Sequence, residues 1–271
     1  MYNFKYYKTL LPWISRQFLV VGFRLSRNLT WIPVMVLPLS IKTLLFDLDG
    51  TLCQHQPSSQ DIFFELLDEY HLQADPAAKR KIRQFIHYYW SNSPEAAADM
   101  EAYGALNDAF WTRYLQRKLA MIGMQAEKAA ELASLMQPKL EERYQPETVI
   151  ADDVRPTLKS LRAKGYKIGL VTNRSKPIDQ DVEELGLRPF FDFLLTAGEI
   201  DSWKPDPEIF EYALYLAESN ALETAYIGDN LYTDIMGAGQ AGLFPILLDP
   251  NHTFPNAECM VIRSLSELTT I

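Results

Sequence analysis

Two aspartates separated by a single residue, Asp47 and Asp49, stand where a short apolar run, KTLLFD, stops at the tripeptide DGT. If a strand ends there and the chain turns at once, both carboxylates can face one site. A carboxylate at that strand end can attack an electrophilic phosphorus as a nucleophile. An ionised carboxylate does not readily approach a phosphate dianion, so this chemistry needs a cation beside it. Asp229 and Asp234, in GDNLYTD, supply further carboxylates. The histidines His55, His71, His87 and His252 show no metal-ligand spacing, and no CxxC is present. An all-carboxylate set points to a hard cation, and Mg²⁺ accepts carboxylate, phosphate and water oxygens.

Two more short motifs carry polar groups: Thr172-Asn173, after KIGLV, and Lys204, in SWKPDPEIF. Each motif alone has an ordinary explanation. DGT is a common turn, Thr-Asn can end a strand, a Lys before Pro is usually solvated, and an Asp after Gly is often a helix cap. All four in this order, each after an apolar run of strand length, are harder to treat as coincidence.

The elements that must position these residues are legible in outline. Residues 42–47 read as a buried parallel strand. From about 61 to 143 the apolar residues recur at spacings of three and four, as in Ile62, Phe63, Leu66, Leu67 and Tyr70, or Ile82, Phe85, Ile86, Tyr89 and Trp90. That spacing predicts amphipathic helices packed on one another. Tyr89 and Trp90 fit core positions better than a pocket wall. After Pro146 strands and helices alternate. Helices are expected over 153–164, ending at Gly165, over 178–185, ending at Gly186, and from Asp206 as N-cap with Pro207 at the first helical position. Strands are expected at 166–171, 193–196, 224–227, 244–248 and 259–262. The fold class is therefore α/β, with a Rossmann-like parallel sheet, helices on both faces, and an inserted α-helical cap. The core comprises residues 41–53 and 147–271, and the cap residues 54–146. An insertion placed directly after a strand end sits where ligands bind in open α/β sheets.

The chain has 271 residues and a net charge of -9. An acidic balance argues against a nucleic-acid partner. Two cysteines, Cys53 and Cys259, make no disulfide framework and fit a reducing compartment, so a cytoplasmic location is expected. The first forty residues carry five basic residues and no acidic one. Their apolar stretch, 28–41, is interrupted by Pro33 and Pro38 and falls short of the ~20 residues needed to span a bilayer. No integral membrane segment is expected. Residues 1–40 read as a dispensable extension outside the core, with Met35 as an alternative first residue. Oligomeric state is not legible.

Over roughly 43–249 the sequence resembles the haloacid dehalogenase superfamily, specifically its phosphatases with a helical cap inserted after the first motif. FDLDGTL, LVTN, WKPDPEIF and IGDNLYTDI carry the resemblance. It implies a Mg²⁺-dependent phosphatase acting on a small phosphorylated metabolite through an aspartyl-phosphate. Asp47 is then the nucleophile and Asp49 the general acid and base. Asp47, Asp229 and the Asp49 carbonyl hold the metal, with Asp234 behind them. Thr172 and the Asn173 N–H hold phosphoryl oxygens, and Lys204 neutralises charge there and on Asp47. A dehalogenase of the same superfamily typically lacks the second Asp. A phosphonatase would need a buried cap lysine, with Lys79, Lys81, Lys118, Lys128 and Lys139 as candidates. A phosphomutase would share the core, and a non-catalytic binding protein would be expected to lack a motif residue.

Overall fold

The structure, a computed structural model, describes residues 37–270. Six parallel strands form the sheet: β1 (Thr43–Phe46), β4 (Lys167–Thr172), β5 (Phe193–Thr196), β6 (Thr224–Gly228), β7 (Phe244–Leu248) and β8 (Met260–Ile262). Their order is β5-β4-β1-β6-β7-β8. Succession runs outward from β1 through β4 to β5, then returns to β6 on the other side of β1. The order therefore reverses beside β1. The carboxyl ends of β1, β4 and β6 frame the crevice that such a reversal creates.

Strand parity distributes the core. Leu44 and Phe46 of β1 join one apolar cluster with Leu158 and Leu161 of α6 (Val154–Ala163), Val182 of α7 (Asp179–Glu184), and Leu265 and Leu268. Leu45 joins the opposite cluster with Val171, Tyr226, and Ile209 and Phe210 of α9 (Pro207–Leu216). Every β1 residue is buried, and full burial of a large aliphatic side chain contributes about 1.5–3 kcal/mol. The strand end that carries Asp47 is thus held by both faces of the sheet. Short helices α8 (Ala197–Ile200) and α10 (Gly237–Gln240) complete the core, the latter following a π-helical turn at Leu231–Met236.

Asp206 caps α9 with Pro207 in the first turn, as its sequence predicts. Gly165 and Gly186, after α6 and α7, have φ of +88° and +63°. The expected strand at 259–262 is one residue shorter.

Between β1 and α6 the chain makes five helices: α1 (Ser59–Glu69), α2 (Pro76–Tyr89), α3 (Pro94–Tyr103), α4 (Asp108–Met121) and α5 (Ala126–Arg143). Ser58, Asp75, Ser93 and Asn107 cap the first four by accepting backbone N–H bonds. The insertion has its own apolar clusters, one built on Ile62, Phe63, Leu66 and Leu119, another on Phe85, Tyr89 and Phe110. It enters and leaves through an antiparallel ribbon of β2 (Cys53–Gln56) and β3 (Glu147–Ile150). Sequence reading misses both strands, since CQHQ has no apolar alternation and its partner lies some ninety residues on. It also misses α3, of which only Ala96 and Asp99 are buried. Asp99 ties α3 to its neighbours, accepting from Tyr89 Oη and pairing with Arg113 and Arg117.

The expectation for the N-terminal extension lies largely outside the described residues. At its boundary, Leu37 and Ile41 are both buried in the core. Among the described residues no helix is long and apolar enough to cross a membrane.

Candidate active site

Asp47 follows β1 directly and its amide donates to the Ile227 carbonyl of β6 at 2.9 Å, which continues the strand pairing by one residue. The chain then folds back: Leu52 and Cys53 amides donate to the Leu48 carbonyl, and Gly50 N–H donates to the Cys53 carbonyl at 2.8 Å. Gly50 has φ +87°, and a Cβ there would lie 2.6 Å from an Asp229 carboxylate oxygen. The glycine is required both by the backbone and by the carboxylate it admits. Thr51 is buried, its hydroxyl 3.4 Å from Asp229 Oδ1.

Lys204 arrives on the loop before α9 and is 2% exposed. Its ammonium donates to Asp47 Oδ1 at 2.6 Å, Asp234 Oδ1 at 2.7 Å and the Tyr226 hydroxyl at 2.8 Å. Tyr226 in turn donates to the Val171 carbonyl at 2.9 Å. Burial disfavours the Lys204 charge, but Asp234 and Asp47 outweigh it and hold the ammonium protonated. Asn173 fixes the same loop from β4: its side-chain amide donates to the Lys204 carbonyl at 2.9 Å and accepts from the Lys204 N–H at 2.7 Å. Thr172, the last residue of β4, is buried beside it. Asp234 also accepts from the Asn230 N–H at 2.9 Å. A Cβ on Gly228 would lie 2.4 Å from this carboxylate.

Asp47, Asp229 and Asp234 each offer an oxygen within 4.8 Å of the others. Burial pushes the Asp47 carboxyl up to about 7, against the pull of Lys204 and with repulsion from Asp234. Burial, then Asp234 and Asp47, push Asp229 well above the usual carboxylate range. Three carboxylates face one ammonium, so full ionisation leaves two negative charges unmatched. A hard dication fits that deficit and that all-oxygen donor set.

The Asp49 side chain does not join this cluster. Its two oxygens accept from Arg174, from Nε at 2.8 Å and Nη2 at 2.7 Å, while Arg174 Nη1 donates to Asp181 at 2.5 Å. Cys53 Sγ lies 3.7 Å from Asp49, and burial together with Asp49 pushes the thiol up to about 12. It is a neutral thiol at neutral pH.

The structure thus brings Asp47, Lys204, Asp229 and Asp234 into direct or near contact, with Thr172 and Asn173 beside them and Asp49 turned toward Arg174. Sequence reasoning misses Arg174, Tyr226 and His87. Arg174 could have been suspected from its place after LVTN. Tyr226 reads only as a core aromatic in TAYI. His87, on α2, brings Nδ1 to 4.0 Å from Asp229 Oδ2 and packs edge-on against Phe254. Burial pushes its pKa down to about 4, so it is neutral at pH 7. Its carbonyl accepts from Asn230 Nδ2 at 3.3 Å, a bond between the insertion and the core.

A cleft of about 1010 Å³ opens over the carboxyl ends of β1, β4, β6 and β7 and is walled on its far side by the insertion. Tyr89 and Trp90 separate here. Tyr89 is fully buried, whereas Trp90 lines the cleft and donates from Nε1 to Tyr114 Oη at 3.2 Å. A helical stripe has an edge, and Trp90 stands on it.

The haloacid dehalogenase-like hydrolase family matches residues 41–242. Haloacid dehalogenase-like hydrolase domain-containing protein 3 of Homo sapiens is 26% identical over 78% of this chain and 82% of its own length. Phosphoserine phosphatase of Thermus thermophilus is 27% identical over 77% of this chain and 89% of its own. The crystal structure of a phosphatase of the same superfamily from Thermococcus onnurineus superposes with a TM-score of 0.50 at 22% identity, covering 85% of this chain and 97% of that one. At that identity the superposition speaks for the fold.

Proposed function

The chain belongs to the haloacid dehalogenase-like hydrolase family and is a phosphoric monoester hydrolase, and from that premise we propose that it releases phosphate from a small phosphorylated metabolite through an aspartyl-phosphate on Asp47. The observation that carries the reading is the contact of Asp47 with Lys204 inside the three-carboxylate cluster. Asp47 attacks phosphorus through a carboxylate oxygen, and the bond from phosphorus to the ester oxygen breaks. Asp49, protonated on an oxygen that Arg174 would first release, gives that proton to the departing alkoxide, then takes one from the water that opens the acyl phosphate and restores the Asp47 carboxylate. Thr172 and the Asn173 N–H hold the transferring oxygens, and the Lys204 ammonium offsets the charge gathered there. Mg²⁺ would be held by Asp47, Asp229 and the Asp49 carbonyl, with Asp234 behind them, and would screen the nucleophile from the phosphate dianion.

In this reading residues 54–146 are a cap over the core of 41–53 and 147–271. Two unpaired, buried cysteines suit a cytoplasmic setting. A dehalogenase would have no use for Asp49 as a proton carrier. The deciding experiment is phosphate release from a panel of phosphate monoesters, with Mg²⁺ and with excess chelator, for the natural chain and Asp47→Asn. Mg²⁺-dependent release that disappears in Asp47→Asn is expected. Release by purified Asp47→Asn would refute the nucleophile, and full activity in chelator would revive the dehalogenase alternative.

A further inference from the structure

Lys118, on α4, is 2% exposed and lines the same cleft as Asp47, Asp49 and Lys204. Its ammonium sits 4.1 Å from the Phe63 ring centroid and 5.0 Å from that of Tyr114. Among the described residues no carboxylate pairs with it, and burial pushes its pKa down to about 7. Lys204 makes the contrast: equally buried, it has two carboxylates and a hydroxyl. The ring faces attract a cation but offer no lone pairs to three N–H donors. A lysine this buried, with no protein acceptor among the described residues, depends for its hydrogen bonds on what the cleft supplies. Here the unfilled positions border a cleft, so an acceptor can arrive with a ligand.

A second donor repeats the pattern. Arg83, on α2, lines the cleft, and its Nε is buried without a hydrogen-bond partner. Its guanidinium lies 5.7 Å from the Phe64 ring centroid. Two cations of the insertion therefore rest on adjacent aromatic rings of α1, without a described acidic partner, across the cleft from the carboxylate cluster.

We propose that Lys118 is the anchor for a second anionic group on the substrate, so that the protein selects phosphorylated small molecules that also carry a carboxylate or another phosphate. The inference rests on the phosphatase reading for the phosphate that is cleaved. An amine here could also attack a carbonyl, but Phe63 and Tyr114 cradle a cation, and that favours the ammonium as the working form.

The test uses ligands that cannot turn over. Alkylphosphonates of two to five carbons are compared by titration calorimetry, in Mg²⁺, with phosphonocarboxylates and α,ω-bisphosphonates of equal length. At one length or more, the doubly anionic ligand should bind at least about tenfold tighter than its alkyl counterpart. The same comparison between the two doubly anionic series decides between carboxylate and phosphate. Lys118→Met should shrink the preference to less than about threefold, and Lys118→Arg should keep part of it. Lys118→Gln replaces the Met variant if that one does not fold. No preference at any length in the natural chain, or an undiminished preference in Lys118→Met, overturns the assignment. Because binding is read without catalysis, a Lys118-dependent preference with no phosphate release from any monoester would sink the phosphatase reading alone.

Discussion

Arg174 grips both oxygens of Asp49, at 2.8 and 2.7 Å, and so sets the direction of the carboxylate two residues after Asp47. The same guanidinium reaches Asp181 on α7, which anchors it to the core. A carboxylate that must deliver and recover a proton needs a defined orientation, and misplacement by an ångström can cost orders of magnitude. Arg174→Ala should therefore lower kcat by about tenfold, with KM changed far less. Steady-state kinetics on one monoester decides this. An unchanged kcat would show that Asp49 is oriented by something else.

The unmatched charge of Asp47, Asp229 and Asp234 makes metal binding measurable without turnover. Mg²⁺ should raise the melting temperature in a concentration-dependent manner, because an ion held by the folded carboxylate cluster and not by the unfolded chain would stabilise the fold. Asp229→Asn should remove most of that increase. Gly50→Ala should weaken it too, since the new Cβ must displace the Asp229 carboxylate. Thermal melts at a series of Mg²⁺ concentrations read all three proteins. An equal rise in Asp229→Asn would place the cation elsewhere.

Tyr226 stands between Lys204 and the Val171 carbonyl. Tyr226→Phe keeps the ring and removes the hydroxyl: the buried ammonium loses its bond to the phenol and keeps the two carboxylates and the Val171 carbonyl, at 3.3 Å, while that carbonyl loses its phenolic donor. The expected loss of stability is about 1–3 kcal/mol by denaturant unfolding. A loss below about 0.5 kcal/mol would mean that water or a backbone shift replaces the hydroxyl.

Lys118 gives a pH signature of its own. Its folded pKa of about 7 lies below the ordinary lysine value of 10.5, so between those limits the unfolded chain binds the extra proton. The natural chain is therefore penalised most at and below neutral pH, and the penalty fades as pH rises toward 10.5. Lys118→Met should be the more stable protein at pH 7, with an advantage that narrows by pH 10. Unfolding of both proteins at several pH values tests this, and a pH-independent difference would show that Lys118 is solvated in solution.

The candidate site residues are legible in the sequence because each stands in a local motif whose residue types are unusual together, and Asp47, Thr172 and Asp229 also stand at the end of an apolar strand, whereas Lys204 lies on the loop before α9. Asp47, Thr172, Lys204 and Asp229 needed no partner to be noticed. The alternation of strands and helices, and an insertion after the first strand, followed from periodicity. Distances across the sheet did not. The parallel order that sets β1 between β4 and β6 brings residues 47, 204 and 234 together from far along the chain. Which neighbour completes each charge is likewise a tertiary matter: Tyr226 reads as one more core aromatic until its hydroxyl meets Lys204, and Lys118 reads as one lysine among five in the insertion. Helical spacing says which residues share a face. It cannot say whether that face meets solvent, a core or a cleft, because the answer depends on how the helices pack on one another and over the strand ends. Asp49 makes the same point, since its presence was plain from DLDGT, while its hold by Arg174 depends on where β4 ends beside β1.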